Sequence, residues 1–306
     1  MPADLIAYIY SLRWLIELTP AEPRGNAFCS AICKPVIFHL TQKQEVVSCM
    51  TEVLRIDSRQ VLPNGKVVFD DEGEPVYALM ITGKDKFRAR FAYNAILSFL
   101  GQSYGNRFLI AINDGDYRFD CGDVPVERIL QIQLDNSRSK LGALRNESLD
   151  RVPEDGIWIQ WDDDDWYHSD LIAKQYEMLI SHRLDACFLQ NQVKFAFTVN
   201  AGWADYFPGG FAGTLMARKR SDIRYQDISR GEDSMYCHAL KQSSDWIAWN
   251  NPPHYYLRFI HGNNSWHDEH FQLSHRIPNQ RVMPIDSAAY LEKVLPLYLS
   301  EMLPSS

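Results

Sequence analysis

Four consecutive aspartates, Asp162 to Asp165, stand between Trp161 and Trp166. Packing four carboxylates side by side costs electrostatic energy unless a cation relieves it. Hard oxygen donors in this setting suit Mg²⁺ or Mn²⁺, which take one or two carboxylates together with substrate phosphates. The bland alternative is a solvated acidic loop or a structural calcium site. A second acidic pair, Glu232-Asp233, follows Gly231. Two adjacent acids away from a metal loop can hold different pKa values, which suits one of them to proton abstraction. The competing reading is an acidic first helical turn stabilised by the helix dipole. A third concentration of chemistry runs from His261 to His270, with His267 between them and His275 beyond.

Elements that could position these groups begin at Val76. Val76–Ile81, Phe108–Ile112, Ile129–Leu134 and Ile157–Trp161 read as strands, and the unbroken apolar character of the first implies burial on both faces. Helices are expected over about 86–100, 141–149 and 171–180, the last opening after Ser169-Asp170. This alternation predicts an α/β fold, with a mostly parallel central sheet and helices on both faces. Ligands of such sheets bind beyond the carboxyl ends of the strands. Lys84, Asp114 and Asp162–Asp165 stand at those ends, so they are expected to converge on one cleft.

Residues 1–72 read as a small N-terminal accessory zone. It holds helices near 3–18 and 41–54 and a hairpin turning at Pro63-Asn64-Gly65. The acidic stretch Asp70–Glu74 before Pro75 reads as a linker. The main domain then covers 73–275, and 276–306 forms a Pro-bearing connector and a C-terminal helix.

With 306 residues, 46% of them hydrophobic, the chain can bury a large core, and its 23% charged residues argue against disorder. A net charge of -8 counts against a nucleic-acid partner held by phosphate neutralisation, and it leaves room for a divalent metal. The six cysteines are scattered with no CxxC pair, which points to a reduced, cytoplasmic chain. No run of about 18 apolar residues predicts a membrane span. The apolar stretch from Met1 to Leu18 carries Asp4, Arg13 and Glu17, and it reads as an amphipathic helix suited to peripheral membrane contact rather than a signal peptide.

Taken together, the motifs resemble family-2 glycosyltransferases of the GT-A fold, in the nucleotide-diphospho-sugar transferase superfamily. Asp162-x-Asp164-Asp165-Trp166 fits the family's strand-end Asp-x-Asp-Asp followed by an aromatic. Leu141-Gly142-Ala143-Leu144-Arg145-Asn146 is similar to its small-residue helix ending in Arg-Asn. Asn113-Asp114-Gly115 resembles its Asp-Asp-Gly, and Gly231-Glu232-Asp233 its catalytic Glu-Asp. The resemblance covers about Pro75 to Trp266. The first-strand loop departs from it, with Thr82-Gly83-Lys84 where the family has Pro-Thr-Tyr-Asn.

The resemblance implies a metal-dependent, inverting transfer of a sugar from a nucleotide-diphosphate donor, by default a UDP-sugar, to a glycan, lipid-linked or other hydroxyl acceptor. Asp164 would act through Mn²⁺ or Mg²⁺ on the diphosphate, and Asp162 would contact ribose or metal. Asp233 would be the base, with Glu232 nearby. Thr82, Gly83, Lys84, Asp114, Arg145 and Asp163 are the further candidates for the nucleotide sugar. Trp203, Gly209, Gly210 and Trp166 are candidates for sugar or acceptor contact. His261 lies where some related enzymes carry a histidine that reaches the metal or diphosphate. A nucleotidyltransferase or metal phosphohydrolase using the same carboxylates is the alternative enzyme. A catalytically silent GT-A-like binding module is the alternative without chemistry.

Overall fold

A computed structural model describes residues 69–83, 88–115, 124–134, 137, 139–196, 201–261, 264 and 281–285. The expected helices and hairpin of 1–68, Lys84, the histidines beyond His261 and the C-terminal helix lie outside the described residues.

The described residues form two sheets. The larger is built from β1 (Val76–Gly83), β2 (Arg107–Asp114), β3 (Ile129–Gln133), β4 (Ile157–Gln160), β6 (Ala186–Leu189), β9 (Met216–Arg218) and β10 (Trp246–Trp249). Its order is β10-β6-β9-β4-β1-β2-β3. Neighbours are parallel except at β9, which runs antiparallel between β4 and β6. Among the described residues four helices pack on this sheet: α1 (Arg88–Leu100), α2 (Leu141–Leu149), α3 (Leu171–Ser181) and α4 (Glu232–Ser243).

The period-two alternation of a strand divides the core between the two faces of this sheet. Val76, Ala78 and Met80 of β1 pack in one cluster with Ala92, Ile96 and Phe99 of α1 and Leu171, Ile172 and Leu179 of α3. Leu79, from the same strand, joins Trp158, Leu149 of α2, and Tyr236 and Leu240 of α4 in the other. The protein therefore has the expected α/β architecture, a mostly parallel sheet with helices on both faces.

The second sheet was not foreseen. It consists of β5 (Asp165–Tyr167), β7 (Asn191–Ala196), β8 (Ala201–Tyr206), β11 (Tyr256–Ile260) and β12 (Arg281–Ile285), in the order β12-β8-β7-β11-β5. Asp165 opens β5 while β4 ends at Gln160, so the acidic run is the crossing from one sheet to the other.

The acidic stretch expected as a linker is held against the larger sheet. Arg218 grips Glu74 through two hydrogen bonds of 2.9 and 2.8 Å, and Arg128 donates to Asp71 over 2.6 Å. Buried Arg107 fastens the end of α1 by donating to the carbonyls of Phe99 and Leu100, groups that a helix terminus otherwise leaves unmet. Among the described residues no helix is long and apolar enough to cross a membrane.

Candidate active site

The carboxyl ends of β1 and β2 approach closely at Gly83. Its φ is +128°, and a Cβ there would lie 2.6 Å from backbone atoms of Asp114 and Gly115. Only glycine tolerates both conditions. The adjoining turn is held from within: Asn113 Oδ1 accepts from Gly115 N, and Asp114 Oδ1 accepts from Ser137 N over 2.7 Å.

At the end of β4 each aspartate has its own partners. Asp162 accepts from Arg145 at 3.1 Å, Arg258 at 3.2 Å and Gln160 at 3.1 Å. Asp163 is buried and paired with Arg88, which also reaches Asp164 at 3.1 Å. Burial pushes the Asp163 carboxyl upward against the pull of Arg88. Asp164 is half-buried, but Arg88, His261 and Arg258 outweigh the desolvation and hold it well below the usual carboxylate range. Asp165 faces away from the cleft. It hydrogen-bonds to the Tyr256 hydroxyl and accepts from Phe259 N, and burial pushes it up to about 8 despite Arg258.

Strand pairing explains how His261 arrives here. β5 and β11 run antiparallel with Arg258 opposite Asp165, so the end of β11 returns to the start of β5. His261, the next residue after β11, therefore brings Nε2 within 3.2 Å of Asp164 Oδ2. Its ring stacks on Phe91 with centroids 4.4 Å apart. Asn264 closes the turn, accepting from His261 N and donating to Asp164 Oδ2 over 3.2 Å.

The second acidic motif is joined to the first by one side chain. Arg145 on α2 donates through Nε to Glu232 at 3.0 Å and through Nη2 to Asp162 at 3.1 Å. Glu232 is 3% exposed, and burial raises its carboxyl while Arg145 opposes that rise. The α2 helix can approach because residue 142 is glycine: a Cβ there would lie 1.8 Å from the Gln226 carbonyl oxygen. Gly142 N also donates to Ile228 O at 3.0 Å. Gly231, at φ +75°, turns the chain into α4. Asp233 stands on the open side, its carboxylate accepting from Ser234 N at 2.6 Å.

Asp162–Asp164, Arg88, Arg145, Arg258, Glu232, Asp233 and Asn264 line one cleft of about 890 Å³. Asp162, Asp163, Asp164, Glu232 and Asp233 contribute negative charge to it. Arg88, Arg145, Lys194, Arg230, Lys241 and Arg258 contribute positive charge. The aspartate run is thus relieved largely by guanidinium groups. Lys194 is buried and paired with Asp205 of β8. Gly213 leaves room for Arg258, whose Nη2 would lie 3.1 Å from a Cβ at that position.

A carboxylate beside an imidazole, as at Asp164 and His261, is a donor set that Mn²⁺ accepts. Among the described residues no three His, Cys, Asp or Glu side chains are grouped as a metal cage. A catalytic Mg²⁺ or Mn²⁺ usually keeps one or two protein ligands and fills its shell with substrate oxygens and water, so the pair fits such an ion.

The chain is similar to TarS from S. aureus. The crystal structure of TarS 1-349 matches with a TM-score of 0.47 and 13% identity, covering 60% of each chain. The same protein in complex with UDP-GlcNAc matches with a TM-score of 0.46 and 12% identity, over 60% of this chain and 58% of that one. The mannosyltransferase PcManGT from Pyrobaculum calidifontis, in complex with GDP-Man and Mn²⁺, has a TM-score of 0.42 and 15% identity, over 77% of this chain and 75% of its own. The chain thus spans about 60% of the TarS 1-349 chain. No protein-family model and no curated protein matches the sequence.

Of the residues expected at the site, Asp162, Asp163, Asp164, Arg145, Glu232, Asp233 and Gly210 line the cleft. His261 reaches it through Asp164. Thr82, Gly83 and Asp114 are not among the lining residues; Thr82 and Gly83 continue β1 instead of forming a loop. Trp166 is buried against Phe259, and Trp203 packs beside Ala196 and Ile260. Gly209 contributes its carbonyl, which accepts from Lys241 Nζ at 2.6 Å. Arg88, Arg258 and Asn264 were missed as site residues. Arg258 and Asn264 stand close to His261 in sequence, which was the available signal, whereas nothing local marks Arg88.

Proposed function

We propose that this protein is a GT-A-type glycosyltransferase that moves a sugar from a nucleotide-diphosphate donor, a UDP-sugar foremost, to an acceptor hydroxyl with inversion. The observation that carries the reading is the double reach of Arg145. It joins the strand-end aspartates to Glu232, and so sets Asp233 at the open side of the same cleft.

In this reading Asp164 and His261 hold Mn²⁺ or Mg²⁺, with donor oxygens completing its shell, and the ion supplies Lewis-acid neutralisation of the leaving diphosphate. Arg88 and Arg258 add fixed positive charge where negative charge develops, and such preorganised groups cost little reorganisation during reaction. Asp162, with Arg145 and Arg258 on its two oxygens, orients the ribose side of the donor. Asp233 takes the proton from the attacking hydroxyl. Glu232 is engaged with Arg145 and serves position rather than proton transfer. A single displacement with a single base inverts the anomeric centre.

A thermal-shift panel of UDP, GDP, dTDP and their sugars, with and without Mn²⁺, tests the reading. A ligand that binds only the folded state raises its stability with occupancy. The expected result is a saturable shift from one nucleotide that grows with Mn²⁺. No shift from any nucleotide overturns the reading.

A further inference from the structure

The second sheet brings a different chemistry into the cleft. Alternate residues of a strand share a face, and Gln192 and Lys194 both line the cleft from β7. Strand register sets their neighbours. Asp205 of β8 lies opposite Gln192, and Arg258 of β11 lies beside Lys194. Lys194 is buried and ion-paired with Asp205, so its charge is met from within the protein. Its Nζ sits 5.9 Å from the ring centroid of Phe211, and that ring stands 6.0 Å from the ring of Phe207. Both phenylalanines line the cleft.

Gln192 is 1% exposed, and its Oε1 has no hydrogen-bond partner among the described residues. A buried amide oxygen without a donor is a standing cost, which a ligand that brings a donor removes. The surroundings define the donor. The ion pair opposite is neutral as a unit, so this part of the wall does not call for a phosphate or a carboxylate. The two phenyl rings offer apolar surface beside it. A hydroxyl on a carbon frame matches both, and apolar walls with a few placed polar groups are the usual form of a small-molecule site. Position narrows the choice. Arg258, the neighbour of Lys194, donates to Asp162 at 3.2 Å, so the patch borders the aspartate run where the donor's diphosphate is placed.

We propose that Gln192 is a specificity-determining residue, which accepts a hydrogen bond from a hydroxyl of the donor's sugar while Phe211 packs against the sugar ring. The proposal rests on the glycosyltransferase reading and adds where the transferred sugar is recognised. The Lys194–Asp205 pair fixes the polar wall beside Gln192 without drawing in an anion. A sugar that lacks the hydroxyl, or carries it in the other configuration, leaves Oε1 unmet in a cleft the ligand has closed to water. Sites built to bond a substrate hydroxyl reject such analogues for this reason.

The test uses the full chain with Mn²⁺. Calorimetry measures UDP, UDP-glucose, UDP-galactose, UDP-GlcNAc, GDP and GDP-mannose on the wild type and on Gln192→Leu, which removes the amide at similar size. The expected result is that the best-bound nucleotide sugar weakens by about tenfold while its bare nucleotide binds as before. The preference among sugars on one base should shrink as well. The leucine also removes an unmet buried oxygen, so the variant should melt no lower than the wild type, which a purely structural glutamine would not allow. Gln192→Met repeats the comparison if leucine prevents folding. Equal effects on nucleotide sugar and bare nucleotide, or no effect on either, overturn the proposal. So does a free monosaccharide (glucose, galactose, GlcNAc or mannose) that binds beside a saturating nucleotide sugar and is lost in the variant, which would give Gln192 to the acceptor. A wild type that binds no nucleotide overturns the glycosyltransferase reading itself, whereas nucleotide sugars that bind regardless of residue 192 overturn this inference alone.

Discussion

Arg145 Nε donates to Glu232 Oε1 over 3.0 Å, joining residues 87 apart in sequence, while its Nη2 holds Asp162. One buried guanidinium thus sets the distance between the two acidic motifs. Its charge is held in place by both carboxylates against the cost of burial. Removing one partner of such a group strands the other charges in a low-dielectric setting. Arg145→Leu should therefore lower stability by about 3–5 kcal/mol. The double variant Arg145→Leu/Glu232→Leu should lose less than the two single losses added. Urea melts of the four proteins measure that coupling, and strict additivity would show that the pair does not interact.

Gly142 is the position that lets Arg145 come this close. A methyl group there meets a backbone oxygen at 1.8 Å, and backbone cannot step aside as a flexible side chain can. Gly142→Ala should cost about 1–3 kcal/mol by overpacking, although alanine is the better helix former. It should also depress turnover, because α2 must move away from the 226–228 segment and carry Arg145 with it. A melt and an activity measurement on the same variant check both parts. A more stable protein with normal turnover would mean that the close approach is not required.

Much of this frame was legible in the sequence. The run from Val76 and the helix Leu141–Leu149 emerge where expected: the first is a short β-branched and aromatic apolar run ending before a glycine, and the second is a stretch of helix-forming residues between strands. The second sheet was hidden because its strands are partly polar. β7 and β8 bury Lys194 and Asp205 as an ion pair, so neither strand shows a clean alternation. Site partners that act across long separations were hidden for a related reason. Arg88 meets Asp163 across 75 residues, and Arg258 meets Asp162 across 96. An aspartate run announces a need for positive charge, but nothing in its neighbourhood says whether a metal or an arginine answers it.

His168 and His254 give the fold a dependence on pH. Their rings lie 5.4 Å apart, and burial lowers the pKa of both, with His168 adding to the effect on His254. His168 Nδ1 also accepts a hydrogen bond from Asp170 N, which a protonated ring cannot do. The folded state keeps both rings neutral to a lower pH than the unfolded chain does, so around the unfolded value near 6.5 the unfolded chain binds more protons. Stability should be fully present above that pH and fall as pH drops through it toward the lower folded values. His254→Phe should flatten the slope between pH 7 and 5 in denaturant melts. An unchanged slope would show that other groups govern it.

Asp164→Asn tests the metal reading. Asparagine keeps the shape and can still meet Asn264, while Arg88 retains Asp163 as its partner. The fold should persist within about 1 kcal/mol, as for an isosteric change that leaves the guanidinium paired. Calorimetry of UDP binding with and without Mn²⁺ should show the metal-linked gain in affinity disappear. A variant that keeps the full gain would remove Asp164 from the metal site and leave Asp162 to be tested next.

Asp233 is expected to be the base because, of the two adjacent acids, it alone is free of a cationic partner among the described residues and faces the cleft. Glu232 is buried and paired with Arg145, a pairing it would have to give up to take a proton. A base matters mainly in the transition state. Asp233→Asn should therefore lower kcat by about 10²–10⁴-fold, the range usual for general base catalysis. Donor affinity should be nearly unchanged, since asparagine keeps the side chain's size and loses the proton-accepting charge. The rival account starts from the hydrogen bond between Asp233 Oδ1 and Ser234 N, which satisfies a donor at the start of α4. If that were the whole role, the variant would lose about 1 kcal/mol of stability and keep near-normal turnover. Steady-state kinetics and a melt on the same protein separate the two. Normal turnover with a lowered melt would end the assignment of Asp233 as base, and Glu232→Gln would then show whether its neighbour abstracts the proton despite Arg145.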